Sequence, residues 1–384
     1  MAHVSDEDNP NDIVLTSLSL TAETTTGTTQ LPTLPFDVLP EILCRLPVKL
    51  LVQLRCLCKF FNSVISDPKF AKKHLQLSTK RHHLMVTSIQ PPHPAKKHYD
   101  SLLLSVFSTS TVIAQTQLYP SFSTLTDGYK FVDLTCCCDG IFCCYLENDS
   151  YFLWNPSINK VKLLPPLENP AEDDPMLVSF GYDHFIDNYK VVAVSVKKKV
   201  SVYTLGTDYW KQIDGIPYDC HIFGFGIFVS DTVNWFAKDD SDIDFFAQDD
   251  PGIDFILSLD LEKESYQQLF LPNYENENVQ WILDMVRDCL CVFASSDIYW
   301  DVWIMKDYGN KESWTKLYTI PNLKDRGLEA DSLLYISEDD QLLVECYNEL
   351  VVYDPKTGTL NIPEFQNNYK LIDSNVYIES LISP

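Results

Sequence analysis

From Leu34 to Leu75 the chain reads LPFDVLPEILCRLPVKLLVQLRCLCKFFNSVISDPKFAKKHL. Leu39, Ile42, Leu43 and Leu46 recur at i, i+3, i+4 and i+7, which lines one face of a helix. Pro40 suits a first turn, where its missing N–H would lack a partner anyway. Leu46-Pro47 ends this helix, and Pro47 opens a second that carries Leu50, Leu51, Leu54 and Leu57. A third short pattern, Phe61, Val64 and Ile65, stops at Ser66-Asp67-Pro68. Roughly forty residues form only a marginal core without staples or a partner. The apolar stripe is also two-sided, so the surplus leucines argue for a helix-docking surface as well as a core.

Outward from this trio the character of the chain changes. Residues 1–32 hold the run TAETTTGTTQ, and their composition predicts a disordered tail. Residues 33–76 are the helical unit. Residues 77–100 make the transition and a first strand, with Pro91, Pro92 and Pro94 barring regular helix. Beyond residue 100, short β-rich runs such as SYFLW, YKVVAVSV, DFILSLDL and ELVVYD take over.

These runs repeat. YFLWNPSINKVKLLP, VYTLGTDYWKQIDGIP, ILSLDLEKESYQQLFLP, VWIMKDYGNKESWTKLYTIP and VVYDPKTGTLNIP each open on a hydrophobic strand and turn through polar residues. Each closes on an aliphatic residue and a proline: Pro165, Pro217, Pro272, Pro321 and Pro363, which lie 52, 55, 49 and 42 residues apart. A period of about 50 is that of kelch-type propeller blades, which bury their faces by stacking on neighbours. The predicted architecture is therefore an α+β multidomain chain. A small three-helix unit precedes a mostly antiparallel all-β propeller of six to eight blades over residues 101–384. Paired glycines, the usual kelch signature, are absent, so the repeat is kelch-like.

Composition narrows the function. A hydrophobic fraction of 45% with 12% aromatics belongs to a globular chain. No apolar run approaches the roughly 18–20 residues that span a bilayer, so no membrane partner is expected. The acidic start MAHVSDEDNP is no secretory signal, so the twelve cysteines are expected to be reduced thiols in cytoplasm or nucleus. The net charge of −25 is unevenly spread. Residues 33–100 hold eleven Lys/Arg against four Asp/Glu, and residues 101–384 hold eighteen against forty-five. A basic helical segment suits an acidic partner, whereas the strongly acidic body is unsuited to nucleic acid.

No pattern points to catalysis or a cofactor. Cys136-Cys137-Cys138 and Cys143-Cys144 are adjacent on strands, where neighbours point to opposite faces, so few can converge on a metal. FAKDDSDIDF at 236–245 recurs as FAQDDPGIDF at 246–255, a tandem duplication that most simply lengthens a loop. Its Asp240, Asp242 and Asp244 mimic the start of a calcium loop, but Phe245 and Pro251 occupy the required glycine and glutamate positions. No nucleophile elbow, zinc-protease, P-loop or dinucleotide fingerprint is present.

The helical stretch resembles an F-box, and RCLCKFFNSVISDPKFAKKHL is close to its form in the plant F-box proteins that carry an F-box-associated, kelch-like domain. WNPS at 154–157, FGYD at 180–183, NYKVV at 188–192, ESWTKL at 312–317 and the terminal ESLISP resemble the associated domain's recurring patches. Three positions depart from the family pattern: Phe61 stands for the usual Trp, Asp139 for Asn, and Asp231-Thr232 for an Asn-Gly turn. The resemblance implies a non-catalytic substrate receptor of an Skp–cullin–F-box ubiquitin ligase. Leu34, Pro35, Leu39, Ile42, Leu43, Leu46, Pro47, Leu50, Leu51 and Leu54 would meet an Skp-family adaptor, and through it cullin and RING subunits. The propeller would bind a protein substrate. A non-degradative adaptor-binding module and a propeller hydrolase are the alternative classes.

Overall fold

The computed structural model describes residues 38–78, 81–89, 96–108, 112–120, 132–146, 150–167, 176–239, 253–274, 279–296, 298–321, 327–328, 330–347, 349–367 and 370–384. Leu34, Pro35, the segment 1–32, the three transition prolines and most of the duplication (240–252) lie outside the described residues.

The leucine-rich stretch forms α1 (Leu39–Leu43), α2 (Val48–Arg55) and α3 (Lys59–Ile65). Pro40 sits in the first turn of α1, and Pro47 is the extended residue that caps α2. A fourth helix, α4 (Pro68–Ser78), corrects the expected trio. Pro68 opens it rather than ending the unit, because the Asp67 carboxylate accepts the Lys69 N–H at 2.8 Å. His74 of α4 is buried, and its Nε2–H donates to the Leu46 carbonyl at 2.8 Å, which ties α4 back to the α1–α2 link.

The remaining strands form six four-stranded antiparallel sheets among the described residues, which are the blades of a propeller. Blade 2 runs outward from the axis as β4 (Val132–Cys138), β5 (Ile141–Leu146), β6 (Ser150–Asn155) and β7 (Lys160–Leu163). Blade 3 is β8 (Met176–Asp183), β9 (Asn188–Ser195), β10 (Val200–Thr204) and β11 (Trp210–Ile213). Blade 4 is β12 (Cys220–Val229), β13 (Thr232–Asp239), β14 (Phe255–Asp260) and β15 (Ser265–Leu269). Blade 5 is β16 (Gln280–Val286), β17 (Cys289–Ser295), β18 (Tyr299–Met305) and β19 (Trp314–Pro321). Blade 6 is β20 (Ala330–Ile336), β21 (Leu342–Cys346), β22 (Glu349–Asp354) and β23 (Thr359–Asn361).

Blade 1 is assembled from both ends of the chain. The C-terminal strand β24 (Lys370–Ile378) lies innermost and pairs with β1 (His82–Ile89), followed by β2 (Lys96–Leu102) and β3 (Thr116–Leu118). Pairing the two ends closes the ring, so no blade is left with a bare face.

The five proline-closed repeats are the outer hairpins of blades 2 to 6. Their closing prolines fall at the exit of the outermost strand. Trp210 Nε1–H donates to the Pro165 carbonyl at 2.8 Å, and Trp314 Nε1–H to the Phe270 carbonyl at 2.9 Å. In both cases an outer-strand tryptophan ties its blade to the exit of the preceding one. The repeat therefore records blade-to-blade stitching.

Two-residue left-handed turns join the inner strands of three blades: Asp139-Gly140, Ser230-Asp231 and Arg287-Asp288. Asp139 holds a φ of 50° where the family has Asn, a residue equally at ease there. Gly140 is required by close approach, since a Cβ would lie 2.2 Å from the Ile378 carbonyl oxygen. The duplication spans the β13–β14 hairpin: Ala237 of its first copy pairs with Phe255, the last residue of its second, and Phe236 with Ile256 just beyond.

Six hydrophobic clusters among the described residues fill the six seams between blades. The seam between blades 2 and 3 also takes in the helices. Leu43, Val48, Leu51, Ile65 and Phe70 belong to the same cluster as Ile141, Leu153, Phe180 and Tyr189.

Candidate functional site

The helices sit on the side of the ring where the inner strands end and turn back. At the N-terminus of α2, Glu379, one residue past β24, accepts the Val48 N–H on Oε2 at 3.2 Å and Arg81 Nη1 on Oε1 at 3.1 Å. Arg81 also donates to the Arg45 carbonyl. A buried carboxylate 331 residues downstream thus caps the start of α2, where the helix dipole favours negative charge. On α4, Lys72 pairs with Asp187 at 2.5 Å and donates to Tyr182 Oη at 3.3 Å, both in blade 3.

The C-terminal patch completes the joint. Asn155 of WNPS is buried and donates through Nδ2 to the Ser380 carbonyl at 3.1 Å and the Ile382 carbonyl at 2.7 Å. Leu381 and Ile382 lie in the cluster that holds the helices. FGYD and NYKVV likewise meet: Asp183 and Lys190 form a buried ion pair at 2.7 Å, and Lys190 Nζ reaches the Leu261 carbonyl of blade 4 at 2.5 Å. These motif residues hold the ring and its joint together.

The docking sorts the candidate surface. Leu43 and Leu51 are 3% and 0% exposed, so they are core residues rather than surface anchors. Leu39, Leu46 and Leu54 are half-buried against that core. Ile42, Leu50 and Pro47 face outward, with Ile42 at 42% and Leu50 at 40% exposure. Leu57, which the helical spacing marked but the candidate set did not include, is the most open at 70%. Val38 is exposed too. Arg45, Lys49 and Lys59 are exposed among these side chains and make the surface basic. Phe61 is half-buried against the core, edge-on to Phe60 at 5.7 Å, so the smaller ring still packs.

The cysteine-rich hairpin of blade 2 is a packing element. Burial pushes the thiols of Cys138 and Cys144 well above the ordinary range, and a hydrogen bond with Cys136, followed by burial, does the same for Cys143, which keeps them protonated and unreactive. Among the described residues no three His, Cys, Asp or Glu side chains are placed to hold a metal ion, and no helix is long and apolar enough to cross a membrane.

A second feature lies on the ring axis. The inner strands enclose a channel of about 1500 Å³. Its lining includes Asp284, whose carboxyl burial pushes up to about 7, and carboxyls of blades 2, 6 and 1. No sequence motif marked these residues.

Comparison with known proteins fits this arrangement. The model of the F-box associated beta propeller domain matches residues 96–383, and that of the F-box domain matches residues 31–73. The chain is an F-box protein of the F-box-associated β-propeller family. Among its relatives is the F-box/kelch-repeat protein At3g23880 of Arabidopsis thaliana, 29% identical over 91% of this chain and 96% of that protein. The F-box protein CPR1 of the same plant is 25% identical over 91% and 89% of the two chains. The plant's F-box/WD-40 repeat-containing protein 1 is 27% identical over 86% and 80%. An F-box presented by a propeller gives the chain the build of a substrate adaptor.

Proposed function

We propose that this F-box protein is the non-catalytic substrate receptor of an Skp–cullin–F-box ubiquitin ligase, acting in cytoplasm or nucleus. The one-sided burial of its helices carries this reading. The ring covers Leu43, Val48 and Leu51, while Ile42, Leu50 and Leu57 are left to a partner. Leu39, Leu46, Pro47 and Leu54, half-buried or at the edge, would extend that surface, and Leu34 and Pro35 precede it in the chain. An acidic adaptor of the Skp family suits the exposed Arg45, Lys49 and Lys59.

Magnitudes decide how much of the surface is needed. Completing the burial of three partly exposed aliphatics contributes on the order of 1 kcal/mol each. Association and ordering cost roughly 4–15 kcal/mol. Three anchors are therefore too few. The half-buried leucines, the residues before Val38 and the basic side chains must all contribute to a stable complex.

The ring would hold a target near the ubiquitin-charged enzyme recruited through cullin and RING subunits, contributing proximity while the bond chemistry is done elsewhere. Inner-strand topology puts the helices on one side of the ring and the blade-to-blade entries on the other, and this reading assigns the latter side to the target. The test is capture of a purified Skp-type adaptor by the full chain, followed by reconstituted ubiquitin transfer to co-purified targets. Loss of capture in Ile42→Asp with Leu50→Asp is expected, and undiminished capture would refute the docking surface. Capture without transfer would favour the non-degradative module.

A further inference from the structure

At the channel mouth away from the helices, the wall is uneven. Asp331 of β20, Glu345 of β21 and Asp373 of β24 gather where blades 6 and 1 meet, with Asp133 of β4 on the same lining. Glu345 is 8% exposed and accepts a long hydrogen bond from Ser332 Oγ, at 3.3 Å. Asp373 Oδ2 accepts from Asn375 Nδ2 at 3.2 Å. Ser374, 4% exposed and beside Glu345, completes no hydrogen bond of normal geometry with its Oγ. Lys96 of β2 is the cation near Asp373, and it is paired with Asp133.

Carboxyls held from water beside like charges cost stability unless something offsets them. Burial, with Asp373 and Asp331 adding to it, pushes Glu345 up to about 8, and burial pushes Asp373 to about 6. Costly ionisable groups in a cavity mark a binding site. A compact metal ion does not suit this spread of oxygens, given that no three-ligand group is assembled among the described residues. Ile372, beside Asp373 and 38% exposed, lines the channel too and offers an apolar contact next to the carboxyls. An aliphatic stem ending in a cation matches both features.

We propose that the mouth formed by Asp331, Glu345 and Asp373 is a receptor site for a lysine or arginine side chain of the target. This rests on the receptor reading and names the chemistry of what is received. The stem lies on Ile372, and the ammonium or guanidinium adds a charged donor to Glu345 beside the long Ser332 bond, next to the unsatisfied Ser374 hydroxyl. Binding requires the carboxylates to ionise, so affinity rises as pH climbs through the titration of Asp373 and then of Glu345. Fold stability runs the other way. A raised carboxyl stabilises the folded state while protonated, fully so below its ordinary pKa, and that contribution is lost as pH rises through about 8.

The test is calorimetric titration of the full chain with three probes: an acetylated glycine pentapeptide bearing one central lysine, its arginine counterpart, and spermidine. At least fivefold tighter peptide binding at pH 8.5 than at pH 6 is expected. Glu345→Gln should weaken binding at least tenfold at pH 8.5, and the exposed Asp331→Asn about threefold. Asp208→Asn, a charge loss on the outside of blade 3, should leave it unchanged. Peptide binding that Glu345→Gln and Asp331→Asn leave intact, or no peptide binding at pH 8.5, overturns the site. Binding of spermidine without either peptide overturns the assignment to a protein side chain. Adaptor capture by the same preparation reports on the ligase reading separately, so the two can fail independently.

Discussion

Every seam of the ring is sealed from two sides. Val233 and Trp235 of blade 4 meet Val192 and Val202 of blade 3, and the same holds around the circle. The helices have such a neighbour on one side only. Their inner row, Leu43, Val48, Leu51 and Ile65, completes the seam between blades 2 and 3, and their outer row meets water. The difference shows how an interface can be recognised without its partner. A repeat buries its apolar surface on its own kind, whereas a unit too small to do so borrows a wall and leaves the remaining face for another molecule.

That contrast can be broken at graded strength. Leu51→Ala removes a fully buried anchor of the inner row and should destabilise the helices by about 2–5 kcal/mol. The near-ultraviolet circular dichroism of Trp154, Trp235 and Trp300, all buried inside blades, should be retained. Loss of that signal along with the helices would mean the ring depends on them as much as they depend on it. Ile42→Asp with Leu50→Asp acts on the outer row. Adaptor capture should fall at least a hundredfold, about 2.7 kcal/mol, while thermal unfolding of the ring is unchanged. Glu379→Gln probes the joint itself. Weakening the caps on Val48 and Arg81 should cost about 1–3 kcal/mol, read as earlier hydrogen exchange in α2 than in β13.

The smallest effect is expected on a clamp that belongs to the ring alone. Asp340 of blade 6 accepts from Arg287 at 2.9 Å and Tyr318 at 2.8 Å, both in blade 5, and pairs with Lys356 at 3.3 Å. These donors hold its carboxyl down to about 2. Its contribution is therefore present above the ordinary carboxylate range and is lost as pH falls through about 2. Asp340→Asn should lower the melting temperature slightly at pH 7, and parent and variant should converge toward pH 2.

Much of this was legible in the residues, for local reasons. Leucine spacing with Pro40 and Pro47 sets α1 and α2, and the proline-closed hairpins mark five of the six blades. Of blade 1 only the first strand, within residues 77–100, is legible, because its strands come from opposite ends of the chain and share no repeat. The fourth helix leaves a local signal too: Phe70, Ala71, His74 and Leu75 fall on one face behind Asp67-Pro68, where the proline is a first turn and not a stop. Which leucines face inward was not readable, because the wall that covers them lies in blades 2 and 3. The Glu379 cap, 331 residues from Val48, leaves no local trace. Asp331, Glu345 and Asp373 are three of 54 acidic residues, and only closure of the circle brings them together.

The strand that closes the ring has a consequence for synthesis. A nascent chain releases its leucine-rich segment from the ribosome long before Glu379, Leu381 and Ile382, which seat that segment; Glu379 follows Val48 by 331 residues. A product truncated before β24 would lack both the innermost strand of one blade and the seat of its helices. Translation must therefore pass β24 before the outer row of the helices is firmly mounted.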